Sequence, residues 1–122
     1  MTKRFSSRLV SEIDATKYMK IRSGDHRYIH IWVVVREGRV FVRSWNDKPT
    51  GWYRAFLGEP AGAIEIEGRA IPVRARRVRS AQLNDAVCAG YRAKYTSKAN
   101  EKYVKGFAAA KRKANTLELH PD

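Results

Sequence analysis

Residues 28–57, YIHIWVVVREGRVFVRSWNDKPTGWYRAFL, decide how this chain folds. Val, Ile and aromatic residues dominate 27–36 and 39–45, which is the composition of strands. Glu37-Gly38 between them reads as a tight two-residue hairpin loop, with glycine supplying the positive φ such loops require. A polar loop, Asn46-Asp47-Lys48-Pro49-Thr50-Gly51, then opens a helical turn over roughly 50–57, stopped by Gly58 and Pro60. All three tryptophans (Trp32, Trp45, Trp52) fall inside this window. Strands feeding a polar loop that starts a helix can present backbone N–H groups and cations to an anionic group.

The hairpin can be read face by face. With Glu37-Gly38 as the loop, Val35 pairs with Val40 and Val33 with Val42, on a face that reaches Ile31 and Ser44. The opposite face pairs Val34 with Phe41, Trp32 with Arg43 and His30 with Trp45. A sheet buried on one side only shows polar residues on the other. Here the second face is also largely apolar, so something must cover it: the C-terminal helices, a second subunit or a flat aromatic ligand. Arg43 beside Trp32 suits a cation–π pair within such a face.

Outward from this stretch, residues 6–13 read as a short helix capped by Ser6 or Ser7. Residues 17–22 read as a strand and Ser23-Gly24-Asp25 as a turn. Strands at 62–67 and 70–78 form a second hairpin through Gly68-Arg69. Ile64, Ile66, Ile71 and Val73 share one of its faces, and Glu65, Glu67, Arg74 and Arg76 the other. Pro72 argues for an edge position there. Ser80 caps a helix over 81–95, and another covers 101–113. Leu83, Val87, Tyr91 and Tyr95 recur at helical spacing as core, as do Tyr103, Phe107 and Ala110. Residues 116–121 suit a short edge strand. The pattern points to an α+β fold, a small β-barrel with helices at its edge, with a flat sheet as the rival.

At 122 residues the chain is expected to be one domain, 1–122. Its longest apolar run, Ile31 to Val35, is far too short to span a membrane. The start, MTKRFSSRLVSEI, lacks the apolar core of a signal peptide, and one cysteine, Cys88, permits no intrachain disulfide; both point to the cytoplasm. His26, His30 and His120 lack metal-ligand spacing, so no metal is expected. The net charge is +13 and the isoelectric point about 10.3. The excess is spread: 12 basic and 6 acidic residues in 1–60, 5 and 2 in 61–80, 8 and 4 in 81–122. The densest cluster, Arg74, Arg76, Arg77 and Arg79, reads as a solvated strand face, a phosphate-binding stripe or a nucleic-acid face. Zinc-finger spacing, an RNP-type aromatic motif and a KH-type GxxG clamp are all missing.

The order of elements resembles the FMN- and deazaflavin-binding split β-barrel superfamily, nearest to deazaflavin-dependent nitroreductase-like proteins and a related bacterial family of unknown function. The likeness rests on Ile21-Arg22-Ser23-Gly24, on Trp32 to Ser44, on Gly51-Trp52-Tyr53-Arg54, and on Ile64 to Arg69 with Val73-Arg74-Ala75-Arg76. The helix bearing Tyr91 and Tyr95, ahead of Thr116-Leu117-Glu118-Leu119, completes it. The resemblance implies a split β-barrel of about six mainly antiparallel strands with helices packed at its edge, assembled as a homodimer. It also implies a flavin-type cofactor, FMN or deazaflavin, and a nitroreductase-like oxidoreductase activity. By that resemblance the cofactor phosphate falls to Arg22, Ser23 and Gly24, to Arg43, Ser44, Trp45 and Lys48, and to Thr50, Gly51 and Trp52. Asp25 stands where the deazaflavin relatives carry a basic residue, and Trp45-Asn46-Asp47 where they carry small ones. The alternative function is a cofactor-free basic module that binds nucleic acid or another polyanion.

Overall fold

The computed structural model describes residues 4–122. Seven antiparallel strands form one sheet: β1 (Met19–Ser23), β2 (Ile29–Ile31), β3 (Val34–Arg36), β4 (Arg39–Arg43), β5 (Ala61–Ile66), β6 (Arg69–Arg77) and β7 (Thr116–Pro121). Their order across the sheet is β2-β1-β5-β6-β7-β4-β3. The two edge strands are therefore consecutive in the chain, joined only by Trp32-Val33. Three peptide steps span at most about 11 Å, so the sheet must curl until its edges nearly meet. The result is a split barrel.

The hairpin register follows the face count near the turn, where Val34 pairs with Phe41, Val35 with Val40 and Arg36 with Arg39. The counted pairs Val33–Val42, Trp32–Arg43 and His30–Trp45 are not part of the ladder, because β3 begins at Val34 and His30 pairs with Lys20. Glu37 and Gly38 have φ of 52° and 75°, the double positive φ of a primed turn. Val33, Val40 and Val42 point into the barrel, where they meet Ile21, Ile64, Ile66 and Leu119. Val34 and Phe41 point outward beneath α3 (Ala81–Lys94) and α4 (Glu101–Phe107), packed with Val87, Tyr91, Tyr95 and Phe107. The C-terminal helices are thus the cover that the second apolar face needs.

Four expectations are corrected. Residues 27–36 are two strands, because barrel closure carries β2 to β1 and β3 to β4 on opposite edges. The second hairpin turns at Glu67-Gly68, with φ of 50° and 78°, so Arg69 is already paired with Ile66. Residues 116–121 are a central strand, paired to β4 on one side and β6 on the other. The helix over 101–113 breaks at Ala108-Ala109, where Ala109 is extended, leaving the short α5 (Ala110–Lys113). Pro72 is tolerated because β7 pairs β6 only from Val73 onward.

Helices close both ends of the barrel. α1 (Ser7–Ala15), capped by the Ser6 hydroxyl accepting from Leu9 N–H at 3.2 Å, sends Ile13 into the core. Its Glu12 pairs with Arg69 beside the second turn, at 2.6 Å. α2 (Trp52–Gly58) closes the other end with Tyr53 and Phe56. There the Tyr53 hydroxyl donates to the Ala114 carbonyl at 3.1 Å. Gly62 permits that end to pack: a Cβ there would lie 2.1 Å from the Arg22 carbonyl and 3.0 Å from Phe56.

Candidate functional site

The split in the barrel is the candidate site. Where the chain leaves β2 for β3, the Val33 peptide has no strand partner, and α3 supplies one. The Tyr95 hydroxyl accepts the Val33 N–H at 3.0 Å and lies 2.6 Å from the Lys17 carbonyl. Lys94 Nζ donates to the Val33 carbonyl at 2.8 Å. Burial holds the Lys94 ammonium below its ordinary pKa and pushes the Tyr95 phenol up to about 12. Trp32 stacks on Tyr95, with ring centres 4.0 Å apart and planes 8° from parallel.

Beside this seam opens an apolar cleft of about 390 Å³. His30, Ile31 and Trp32 form one lip, Arg43 and Trp45 the other. Tyr103 and Phe107 of α4 and Trp52 of α2 complete it, with Tyr18 at the entrance. All three tryptophans meet here. So do Tyr18, Trp45 and Tyr103, the three exposed large apolar side chains among the described residues. Sequence spacing assigns Tyr103 to the core, yet it is 43% exposed. The signal was its phenol, a polar tip that suits a wet rim.

Trp45 is held by α4. A Cβ on Gly106 would fall 2.3 Å from the tip of the indole, so glycine lets the ring sit this close to that helix. From the other side the Arg112 guanidinium stacks 3.5 Å from the Trp45 ring centre and donates to the Trp45 carbonyl at 2.9 Å.

Arg43 is 2% exposed, and its hydrogen bonds match its five N–H groups. Nε donates to the Thr116 hydroxyl at 2.7 Å. Nη1 reaches the Phe107 carbonyl at 2.9 Å and the Cys88 sulfur at 3.0 Å. Nη2 meets the Asn84 carbonyl and side-chain oxygen at 3.1 and 3.3 Å. None of these acceptors is a carboxylate. The guanidinium thus knits β4, β7, α3 and α4 together and leaves an uncompensated positive charge in the cleft wall.

The ten residues assigned to a cofactor phosphate divide in space. Arg43, Trp45 and Trp52 line the cleft. Ser44 is buried and donates to the Asn46 carbonyl at 2.6 Å. Lys48 and Thr50 are exposed on the loop between Trp45 and Trp52. That loop is ordered by the Asn46 side chain accepting from Lys48 N–H, by Gly51 N–H donating to the Lys48 carbonyl, and by the Asp47–Arg54 pair. Arg22, Ser23 and Gly24 lie at the far end of α2. Eight residues at 1.5 Å per residue put about 12 Å between Gly51 and Glu59. Ser23 donates to the Glu59 carbonyl at 2.7 Å, and the Glu59 carboxylate occupies the space a Cβ on Gly24 would take. Arg22 lies over the Tyr28 ring, 4.6 Å from its centre.

Among the described residues no three His, Cys, Asp or Glu side chains cluster as metal ligands, and no helix is long and apolar enough to cross a membrane.

The fold and its cleft define an α+β split-barrel protein with an aromatic groove at the split. The chain belongs to DUF2255, a family described as an uncharacterized protein conserved in bacteria, which it matches over residues 9–119. No curated protein is similar to it in sequence. Two crystal structures share the fold at low sequence identity. The conserved hypothetical protein Rv2991 from Mycobacterium tuberculosis superposes with a TM-score of 0.62 at 10% identity, over 99% of this chain and 81% of that one. An FAD-binding protein from Mesorhizobium loti superposes with a TM-score of 0.53 at 9% identity, over 99% and 91%.

Proposed function

We propose that this protein binds a flavin-type cofactor, FMN or a deazaflavin, with the ring system in the aromatic cleft. The observation that carries this reading is the convergence of three tryptophans, and of every exposed large apolar side chain among the described residues, on one groove. Its volume of about 390 Å³ lies within the range of small-molecule sites, about 300–1,000 Å³. Flat aromatic walls favour a flat ring. A structural neighbour from Mesorhizobium loti is an FAD-binding protein, which supports a flavin-type ligand here.

The residues fit such a group. Trp45 and Trp52 offer faces for the ring. Arg43 makes no ion pair among the described residues. Its charge favours a ring that gains electron density, because attraction is strong where water is excluded. Lys48 and Thr50, on the loop between Trp45 and Trp52, supply a cation and a hydroxyl for the phosphate. The cofactor, when bound, supplies the electron-transfer chemistry of a nitroreductase-like oxidoreductase. The open side of the cleft, where Tyr18 is 59% exposed, supports a homodimer in which a second copy closes over the ring; sedimentation velocity tests it.

Titration of purified protein with FMN and with a deazaflavin, followed by tryptophan quenching and thermal shift, tests the reading. Saturable quenching is expected, with Trp45→Ala weakening binding about tenfold or more, a loss of ~1.4 kcal/mol. Unquenched fluorescence and an unmoved melting temperature with both ligands would reject it.

A further inference from the structure

The outer wall of the barrel carries a second concavity, of about 500 Å³, that shares no lining residue with the aromatic cleft. Five arginines face it: Arg4 ahead of α1, Arg39 at the start of β4, Arg76 and Arg77 at the end of β6, and Arg79 before α3. Strand alternation should send Arg76 and Arg77 to opposite sides. Both are exposed at the end of β6, and Arg77, at the boundary, also borders the neighbouring groove beside Asp47, Arg54 and Arg112.

Among the described residues Glu118 is the one carboxylate lining this cleft, and it is already engaged. Its oxygens receive Arg39 through two bonds of 2.7 and 2.8 Å, and His120 lies 3.6 Å away. Arg76 stands opposite Glu118 in the β6–β7 ladder yet makes no ion pair among the described residues. Nor do Arg77 and Arg79. Like charges gathered in one concavity repel, so this arrangement costs stability unless a counter-charge enters. The 14-residue α3 also begins at Ser80 on the rim with no acidic residue in its first turn, which adds to the positive field.

We propose that this cleft is a binding site for a small ligand carrying two or more adjacent phosphate groups. Guanidiniums match phosphate oxygens two at a time, and several of them converge here. The cleft's size suits a small molecule. Single-stranded nucleic acid needs aromatic platforms along its track. The exposed large aromatics, Tyr18, Trp45 and Tyr103, all line the other cleft.

Isothermal titration with orthophosphate, pyrophosphate, tripolyphosphate and a 12-nucleotide single strand tests the proposal. Tripolyphosphate should bind about tenfold or more tighter than orthophosphate, and the double variant Arg76→Gln/Arg79→Gln should lose about tenfold. Arg92→Gln, an exposed change outside the cleft, should alter binding less than about twofold. FMN titration of the double variant should match the parent, which separates the two sites. Arg77→Gln is the second variant should the double one unfold. The proposal falls if the phosphates bind alike, if the double variant binds as the parent does, or if Arg92→Gln costs as much. Tighter binding of the 12-mer than of tripolyphosphate would make the surface a nucleic-acid site instead.

Discussion

The Tyr95 hydroxyl accepts the backbone N–H of Val33 at 3.0 Å, across the point where the sheet passes from one edge to the other. A side chain 62 residues away thus replaces a strand partner that the split removes. Buried backbone groups are costly to leave without a partner.

Tyr95→Phe should therefore destabilise the protein by about 1–3 kcal/mol while keeping the Trp32 stack. Denaturant unfolding gives the value. A change under about 0.5 kcal/mol would mean that water or a shift of Lys94 replaces the hydroxyl.

The same phenol makes the seam alkali-sensitive. Burial raises its folded pKa from the ordinary value near 10 to about 12. The stabilisation is therefore complete below about pH 10 and is lost as pH rises through about 12. Tyr91, raised by burial as well, acts in the same direction. Lys94 acts oppositely: its lowered pKa means that its buried cation costs stability at lower pH, and the cost is relieved as it deprotonates. The gap between parent and Tyr95→Phe should hold steady from neutral pH to about 9, then narrow between about 10 and 12. A gap independent of pH would show that the phenol ionises as readily folded as unfolded.

Arg43→Lys should cost about 2–4 kcal/mol, because an ammonium has three donors where the interior presents five acceptors. Lys48→Ala should stay within about 0.5 kcal/mol of the parent yet weaken FMN binding. Unfolding curves paired with FMN titrations separate the two roles. Full stability with lost affinity in Arg43→Lys would make that guanidinium a ligand group and not a brace.

Gly106→Ala places a methyl where the Trp45 indole lies. The indole edge can swing outward, and alanine favours the helix by about 1 kcal/mol, so global stability should barely move. The emission assigned to Trp45, by difference against Trp45→Phe, should shift to the red, and flavin affinity should fall. Unchanged emission would mean that α4 moves and the ring does not.

Local patterns carried the hairpin. Two residues of loop fix the register of β3 against β4, and the register fixes which valines enter the barrel. The break at Trp32-Val33 left no local mark, because a Val and Ile run reads as one strand whether or not the barrel closes through it. The central place of β7 was not visible: Thr116-Leu117-Glu118-Leu119 alternates polar and apolar residues as an edge strand does, and the burial of all four comes from β4 and β6 on either side. Arg43 carried no signal of its role, since its acceptors come from three distant segments, α3, α4 and β7. The aromatic side of the cleft was legible through the tryptophans. The division of the phosphate residues between the two ends of α2 depended on a helix laid across the barrel, which spacing does not encode.

The central position of β7 has a consequence for how the molecule is assembled. Without residues 116–121, β2-β1-β5-β6 and β4-β3 are separate sheets. Each hairpin can form early from neighbours in the chain, but the two halves share no ladder until this strand slots between them. Contacts such as Arg39–Glu118, 79 residues apart, are then made together at the end. Until that moment β4 and β6 present open edges, the state in which a chain of this kind is most prone to pair with its own copies. Six residues thus act as a zipper, and their arrival separates a folded chain from a sticky intermediate.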